Sequence, residues 1–294
     1  MSEHHCGTIA IAGRPNTGKS SLLNALVGER LAIVSPKAQT TRHLVSGILT
    51  AGDCQFVFID SPGLQMRRRD VLHRMLNRRA GKAARDADVV MVVLEATRLG
   101  NEDRAVLDLI APGQRTVAVV NKVDRVKDRS VLIPFLEQVA RARDFHAIVP
   151  VSAQTGKNLA ELLKVLREAL PAAPALYPRD QLTDRDERFF AAEILREKIF
   201  RTLGEELPYR CEVVIDSFKE EGTLRRIEAT ILVERESQKP ILVGAKGVQL
   251  KRMASAARKD MERLFGGRVY LGVWVKVRRG WTDNARVLRQ LGYV

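Results

Sequence analysis

The sequence predicts a doubly wound α/β domain, built on a mostly parallel sheet with a phosphate-binding loop, followed by a smaller α+β domain. Three observations predict it. The run Gly13-Arg14-Pro15-Asn16-Thr17-Gly18-Lys19-Ser20 is a complete G-x-x-x-x-G-K-S motif, set between an apolar run at 8–12 and a stretch of helical apolar spacing at 21–27. From there to Leu170, short apolar runs alternate with helical stretches, as a parallel sheet with helical crossovers requires. Pro171, Pro174 and Pro178 then interrupt the pattern, and a different element order follows. The expected boundaries are a first domain at 1–171, an extended and rather stiff linker at 172–184, and a second domain at 185–294.

In the glycine-containing loop the backbone can curl so that several N–H groups converge on one anion, and the following helix adds the positive end of its dipole. Lys19 can reach β- and γ-phosphates as a point charge, and the Ser20 hydroxyl can ligate Mg²⁺. The ligand implied is a nucleoside triphosphate. The helix stops at Gly28, and residues 30–43 are polar and irregular. Residues 44–50 alternate weakly as a strand, 51–53 turn, and 55–59 form a second strand that delivers Asp60. Strands joined so tightly form an antiparallel hairpin at the edge of the sheet. Asp60-Ser61-Pro62-Gly63 falls where that strand ends. Asp60 can hold Mg²⁺ through water, and the Gly63 N–H can face a γ-phosphate. Taken alone, D-x-P-G is also an ordinary turn.

Residues 87–94 read as a continuous apolar strand of the central, parallel kind. A helix near 102–110 follows, then a strand at 116–120 leading into Asn121-Lys122-Val123-Asp124. After another helix, the strand 147–151 leads into Ser152-Ala153-Gln154, and the last helix spans 159–170. These loops all lie at the C-terminal ends of strands, where doubly wound sheets bind ligands. Asp124 can accept from guanine N1–H and the exocyclic 2-amino group; adenine lacks that amino group and turns an acceptor toward the carboxylate. An unpaired buried group costs on the order of 1–3 kcal/mol, more for a charge, so the base implied is guanine. The Lys122 stem can lie over the base and the Ala153 N–H can donate to O6, with Asn121 and Ser152 completing the expected site.

Composition narrows the remaining classes. A chain of 294 residues is long enough for two cores, and its longest apolar run, Val89 to Leu94, is far too short to span a bilayer. Cys6, Cys54 and Cys211 show neither zinc nor disulfide spacing, which points to a reducing cytosol. Residues 1–5 lack the features of a signal peptide, and His4 and His5 are expected as a disordered tip rather than a metal site. Net charge is +14, and from Pro240 onward twelve Lys/Arg face three Asp/Glu, so +9 of it lies in the last 55 residues. That excess suits nucleic acid or an anionic membrane surface.

The ordered set of motifs resembles a translation-factor-type GTPase, and in detail the Era family. Asn16 in the phosphate loop, Gln39-Thr40-Thr41-Arg42 in the first switch and the C-terminal half carry the resemblance, which covers essentially the whole chain. It implies that Thr41, with Thr40 as the alternative, ligates Mg²⁺ and senses the γ-phosphate; by itself, 39–42 is only a polar loop. GTPases that orient water with a glutamine carry it directly after D-x-x-G, whereas Leu64 stands there in this chain. The resemblance places the chain with GTPases that have an apolar residue at that point, some of which use K⁺ held partly by the Asn16 equivalent. Lys19, Thr41 and Gly63 are the expected catalytic set. Arg67, Arg68, Arg69, Arg78 and Arg79 stud a helical stretch at 71–85 and read as a solvated face.

The second half reads as a helix at 187–203, strands at 209–217 and 224–233 around a turn at 220–222, helical stretches on either side of Gly244-Ala245-Lys246-Gly247, and a strand at 268–277. The element order and G-x-x-G resemble a KH domain of the prokaryotic type. The glycines would let the backbone approach a single strand, and Lys246 would meet a phosphate. Lys251, Arg252, Arg258 and Lys259 extend the charge along the next helix. Lys276, Arg278 and Arg279 could add to that surface, with Trp281 either stacking or packing the terminal helix; packing is the preferred reading.

The expectation is a monomeric, cytosolic GTP/GDP switch with a KH domain. The resemblance further implies binding near the 3′ end of small-subunit ribosomal RNA during ribosome assembly and peripheral association with the inner membrane. A rival is a nucleotide-gated protein whose basic C-terminal domain engages protein or anionic lipid. A metabolic kinase using the same loop is disfavoured by Asn121 and Asp124.

Overall fold

Six strands make the first sheet, in the order β2-β3-β1-β4-β5-β6. They are β1 (His5–Ala12), β2 (Val45–Ala51), β3 (Cys54–Asp60), β4 (Val89–Glu95), β5 (Thr116–Asn121) and β6 (Ala147–Pro150). The structure is a computed structural model describing residues 4–35, 41–63, 70–204 and 207–293. Gln39, Thr40, Leu64 and Arg67 to Arg69 lie outside the described residues. All neighbouring strands run parallel except β2 against β3, which is the edge hairpin expected from the tight turn between them. β4 and β5 are buried on both faces, which is why they carry the unbroken apolar runs 89–94 and 117–120. On one face, Val90, Val92 and Val120 pack with Val106 and Leu107 of α3 (Asn101–Asp108) and with Phe135 and Val139 of α4 (Leu132–Ala142). α1 (Lys19–Val27), α2 (Val71–Asp86) and α5 (Leu159–Ala169) complete the helices of this half.

The chain divides into two compact units, one of 1–69 with 73–184 and one of 185–294 with 70–72. The segment 172–184 belongs to the first unit. A buried amide holds it: Gln55 Oε1 accepts from the N–H groups of Leu176 (2.8 Å) and Tyr177 (2.9 Å), and Gln55 Nε2 donates to Tyr177 O at 2.9 Å. Farther along, Ile48 N–H donates to Leu182 O at 2.8 Å. The N-terminus corrects its expectation too. His5 opens β1 opposite Cys54, and Ala173 N–H donates to His4 O at 2.9 Å, so the two histidines are tied down by backbone pairing. Periodicity could not show this, because the partner segment lies some 170 residues away in sequence.

In the second unit, α6 (Glu187–Thr202) starts at Asp186, whose carboxylate accepts from Phe189 N–H at 2.8 Å. The sheet is β7 (Cys211–Glu221), β8 (Leu224–Val233) and β9 (Arg268–Val277), with β7 antiparallel and β9 parallel to the central β8. Ile227, Ala229, Ile231 and Val233 of β8 are fully buried. α7 (Gln238–Val243) and α8 (Val248–Phe265) stand between β8 and β9 in sequence, and α9 (Ala285–Gln290) ends the chain. The order is that of a prokaryotic KH domain. β7 begins two residues later than expected because Leu207–Arg210 form a 3₁₀ turn, and it continues to Glu221 by way of a bulge between Ile215 and Ser217.

Trp281 is fully buried and its indole N–H donates to Arg210 O at 3.3 Å, so it packs the terminal region and is not a stacking platform. Trp281→Ala is expected to destabilise this half of the chain by about 3–5 kcal/mol, from lost burial and the cavity left behind. Urea unfolding followed by a probe in the second unit checks it; a loss below about 1 kcal/mol would show that the surroundings collapse into the gap.

Candidate nucleotide site and nucleic-acid interface

β1 runs into the loop 13–18, where Gly13, Asn16 and Gly18 have φ of 153°, 65° and 98°. Gly18 has no alternative: a Cβ there would lie 2.3 Å from Asn121 Nδ2. α1 begins at once with Lys19, which is 7% exposed. Its ammonium donates to two carbonyls of its own loop, Gly13 O (3.1 Å) and Arg14 O (2.9 Å). An ammonium has three donors, so one remains for a ligand oxygen. Gly63 stands beside it, since a Cβ at Gly63 would come within 3.1 Å of Nζ. Burial brings the Lys19 pKa down to about 8, against an upward pull from Asp60. A polyanion would restore its charge.

Next to Lys19, Ser20 Oγ donates to Asp60 Oδ2 at 2.7 Å. Thr41 Oγ1 lies 2.9 Å from Ser20 Oγ and donates to the same carboxylate oxygen at 3.2 Å. Asp60 is fully buried, and burial raises its pKa despite Lys19 and the two hydroxyls. Its other oxygen, Oδ1, is buried without a hydrogen-bond partner. An orphaned carboxylate oxygen, with two hydroxyls gathered on the other oxygen of the same carboxylate, is a hard-oxygen donor set that fits Mg²⁺. Among the described residues no group of three or more His, Cys, Asp or Glu could hold a metal.

The base end is built on β5 and the loop after β6. Asn121 is an internal brace: Nδ2 donates to Thr17 O (2.9 Å) and Oδ1 accepts from Ala153 N–H (3.0 Å). The N–H expected to meet guanine O6 is thus turned toward Asn121 in this structure. Buried Ser152 donates from Oγ to Asp124 Oδ1 at 2.5 Å, aiming an otherwise exposed carboxylate. Lys122 takes a left-handed φ of 68° and donates to Asn16 O at 2.6 Å. A cleft of about 700 Å³ lies along Asn16, Gly18, Ser35 and Lys122.

Arg14, expected among the nucleotide ligands, is committed elsewhere. It is 4% exposed, and its guanidinium donates to Glu95 Oε2 at 2.7 Å, to Asp103 Oδ2 at 3.2 Å and to Pro15 O at 3.4 Å. Glu95 and Asp103 belong to no motif and were missed. The available signal was an acid closing an apolar central strand, in the row of strand ends that carries the other loops.

In the second unit, Gly244 follows α7 with φ 71°, and a Cβ there would meet Gln249 Cβ at 2.7 Å. Gln249 Nε2 donates to Ile241 O at 3.0 Å, bracing the two helices across the loop. Ala245 and Lys246 are exposed, and a Cβ at Gly247 would meet nothing within 4 Å. Lys251, Arg252 and Lys259 are exposed on α8, whereas Arg258 donates to Glu262 Oε1 at 2.5 Å and its charge is compensated. The exposed aromatic side chains here are Tyr270 and Trp274 of β9.

These parts define a phosphate-loop GTPase whose chain continues into a KH domain. Residues 8–122 match the family described as 50S ribosome-binding GTPase, and residues 206–282 match the KH domain family. GTPase Era of Nitrosomonas eutropha is 50% identical over 292 residues, 99% of either chain, and that of Pseudomonas aeruginosa 49% identical over 289 residues, 98% of this chain and 95% of the relative. A crystal structure of a variant Aquifex aeolicus Era bound to GDP·AlF4⁻ covers 99% of both chains with a TM-score of 0.95 at 35% identity. A crystal structure of Era with MgGDPNP and nucleotides 1506–1542 of 16S ribosomal RNA matches with the same TM-score, identity and coverage. The chain belongs to the Era family of GTPases.

Asp60→Asn keeps an oxygen for the Ser20 and Thr41 hydroxyls and removes the charge. The slowing of GDP release by Mg²⁺, measured as off-rates with and without EDTA, is expected to shrink to within about twofold of none, with affinity in EDTA little changed. A variant that keeps the full Mg²⁺ effect would take Asp60 out of the metal site.

Proposed function

We propose that this GTPase is a nucleotide-controlled RNA binder: it takes GTP with Mg²⁺, hydrolyses it, and uses its KH loop to hold single-stranded ribosomal RNA near the 3′ end of the small-subunit RNA during subunit assembly. The observation that carries this reading is one chain with two separate anion-binding loops, one buried and braced, the other exposed and basic. A close structural relative crystallised with MgGDPNP and nucleotides 1506–1542 of 16S ribosomal RNA supports it.

At the nucleotide, the backbone N–H groups of 13–18, Pro15 excepted because it has none, and the third Lys19 proton would face the phosphates, Ser20, Thr41 and Asp60 would hold Mg²⁺, and Gly63 would bring its N–H against the γ-phosphate. Mg²⁺ held there would supply charge neutralisation at the phosphates, while the protein positions these groups and excludes solvent. K⁺ beside Asn16 belongs to the same proposal, as the charge an arginine finger supplies elsewhere, because Arg14 is already taken by Glu95 and Asp103. Asp124 reads guanine. Among the described residues no helix is long and apolar enough to cross a membrane, so contact with the inner membrane would be peripheral, through the basic C-terminal segment.

Asp124→Asn turns an amide donor toward the 2-position of the base. It is expected to weaken GTP and favour xanthosine triphosphate in competition binding; an unchanged preference for GTP would remove Asp124 as the reader of the base.

Gly247→Asp places a negative side chain in the open space where an RNA phosphate would approach. Aspartate tolerates the left-handed backbone better than most residues, so the variant is expected to fold. RNA affinity should fall while GTP hydrolysis without RNA persists. Lys246→Ala removes one phosphate contact and should lower the slope of log K against log salt by about 0.7. A folded Gly247→Asp that binds the RNA as wild type does would remove the 244–247 loop as the RNA site.

A further inference from the structure

Glu95 closes β4 and has no part in the nucleotide motifs, yet it touches both ends of the site. Its Oε2 accepts from Arg14 Nη2 at 2.7 Å and its Oε1 from Lys122 Nζ at 2.8 Å. Arg14 is the second residue of the phosphate loop, and Lys122 is the second of the turn that faces the base. The same Lys122 ammonium reaches back to Asn16 O at 2.6 Å. Asp103 takes the far side of Arg14 and also accepts from Gly100 N–H at 2.9 Å, so the guanidinium cannot swing away. Without a carboxylate between them, Arg14 and Lys122 would be neighbouring cations that repel, and the Lys122 stem would lose its rest position.

We propose that Glu95 is a positioning residue for the nucleotide: by bridging Arg14 and Lys122 it fixes the spacing between the loop that holds the phosphates and the lysine that lies over the base. The inference rests on the proposed place of Lys122 over the base. Burial works against a charge on Glu95, but hydrogen bonds from Lys122 and Arg14 hold its carboxyl below the usual range, so the bridge is ionised at neutral pH.

Glu95→Gln preserves shape but offers a single acceptor and turns an amide N–H₂ toward one of the cations. In the full-length chain, with N-methylanthraniloyl-GDP and Mg²⁺, it is expected to weaken binding about tenfold. Lys122→Met should weaken binding at least as much, and the double variant should be no weaker than Lys122→Met alone, because Glu95 acts through Lys122. In turnover, KM for GTP should rise while kcat at saturation stays within about twofold, since Glu95 does not touch Lys19, Thr41 or Gly63. Glu95→Asp keeps the charge but spans only one of the two cations and should recover part of the loss; it carries the same test if Glu95→Gln does not melt cooperatively. Losses that multiply in the double variant, or GDP affinity of Glu95→Gln within twofold of wild type, would overturn the proposal. Lys122→Met with unchanged affinity would remove the reading of Lys122, and Glu95 with it; a weakened Lys122→Met beside an unaffected Glu95→Gln would overturn Glu95 alone.

Discussion

A buried ammonium beside a buried carboxylate sets the terms for the first domain. Lys19 is held by carbonyls of its own loop and depressed to a pKa of about 8, while Asp60, across the same small space, is raised by burial. Each group is in the environment that disfavours its charge. A magnesium nucleotide answers both at once, with phosphate oxygens for the lysine and a cation for the carboxylate. The hydroxyls of Ser20 and Thr41 both donate to Asp60 beside Lys19. The site is therefore electrostatically incomplete, and a magnesium nucleotide bound as proposed would complete it.

The two anion-binding loops solve different problems with the same backbone chemistry. In the phosphate loop, Asn121 braces Thr17 and Ala153, and the Lys19 ammonium is buried against carbonyls of its own loop. In the KH loop, Gly244 is sterically required by Gln249, but Gly247 opens onto free space and Lys246 is exposed. A site of that kind follows a nucleic-acid backbone, taking its affinity from charge and close approach rather than from enclosure.

Much of the fold and most of the nucleotide site were legible in the sequence, because both rest on local patterns. Unbroken apolar runs at 89–94 and 117–120 announce strands covered on both faces, and Asn121 follows directly on the second. What was not legible depends on partners distant in sequence. Gln55 docks the segment after Pro171, His4 pairs with Ala173, and Arg14 turns from the phosphates to Glu95 and Asp103. Each is a polar residue whose type is compatible with several neighbours, so only the fold decides among them. Trp281 was ambiguous for a related reason: a tryptophan beside basic residues suits stacking and packing equally until its burial is known.

Burial lowers the pKa of Lys19, and a bound phosphate is expected to raise it again. Its titration can be followed directly by NMR in chain labelled at the lysine side chains and assigned with a Lys19→Arg control, with and without GDP and Mg²⁺. Without nucleotide, Lys19 is expected to titrate near 8 instead of the ordinary 10.5, and GDP should move its midpoint upward by more than about one unit. A Lys19 that titrates near 10.5 in the empty site, or a midpoint that GDP leaves in place, would contradict this account.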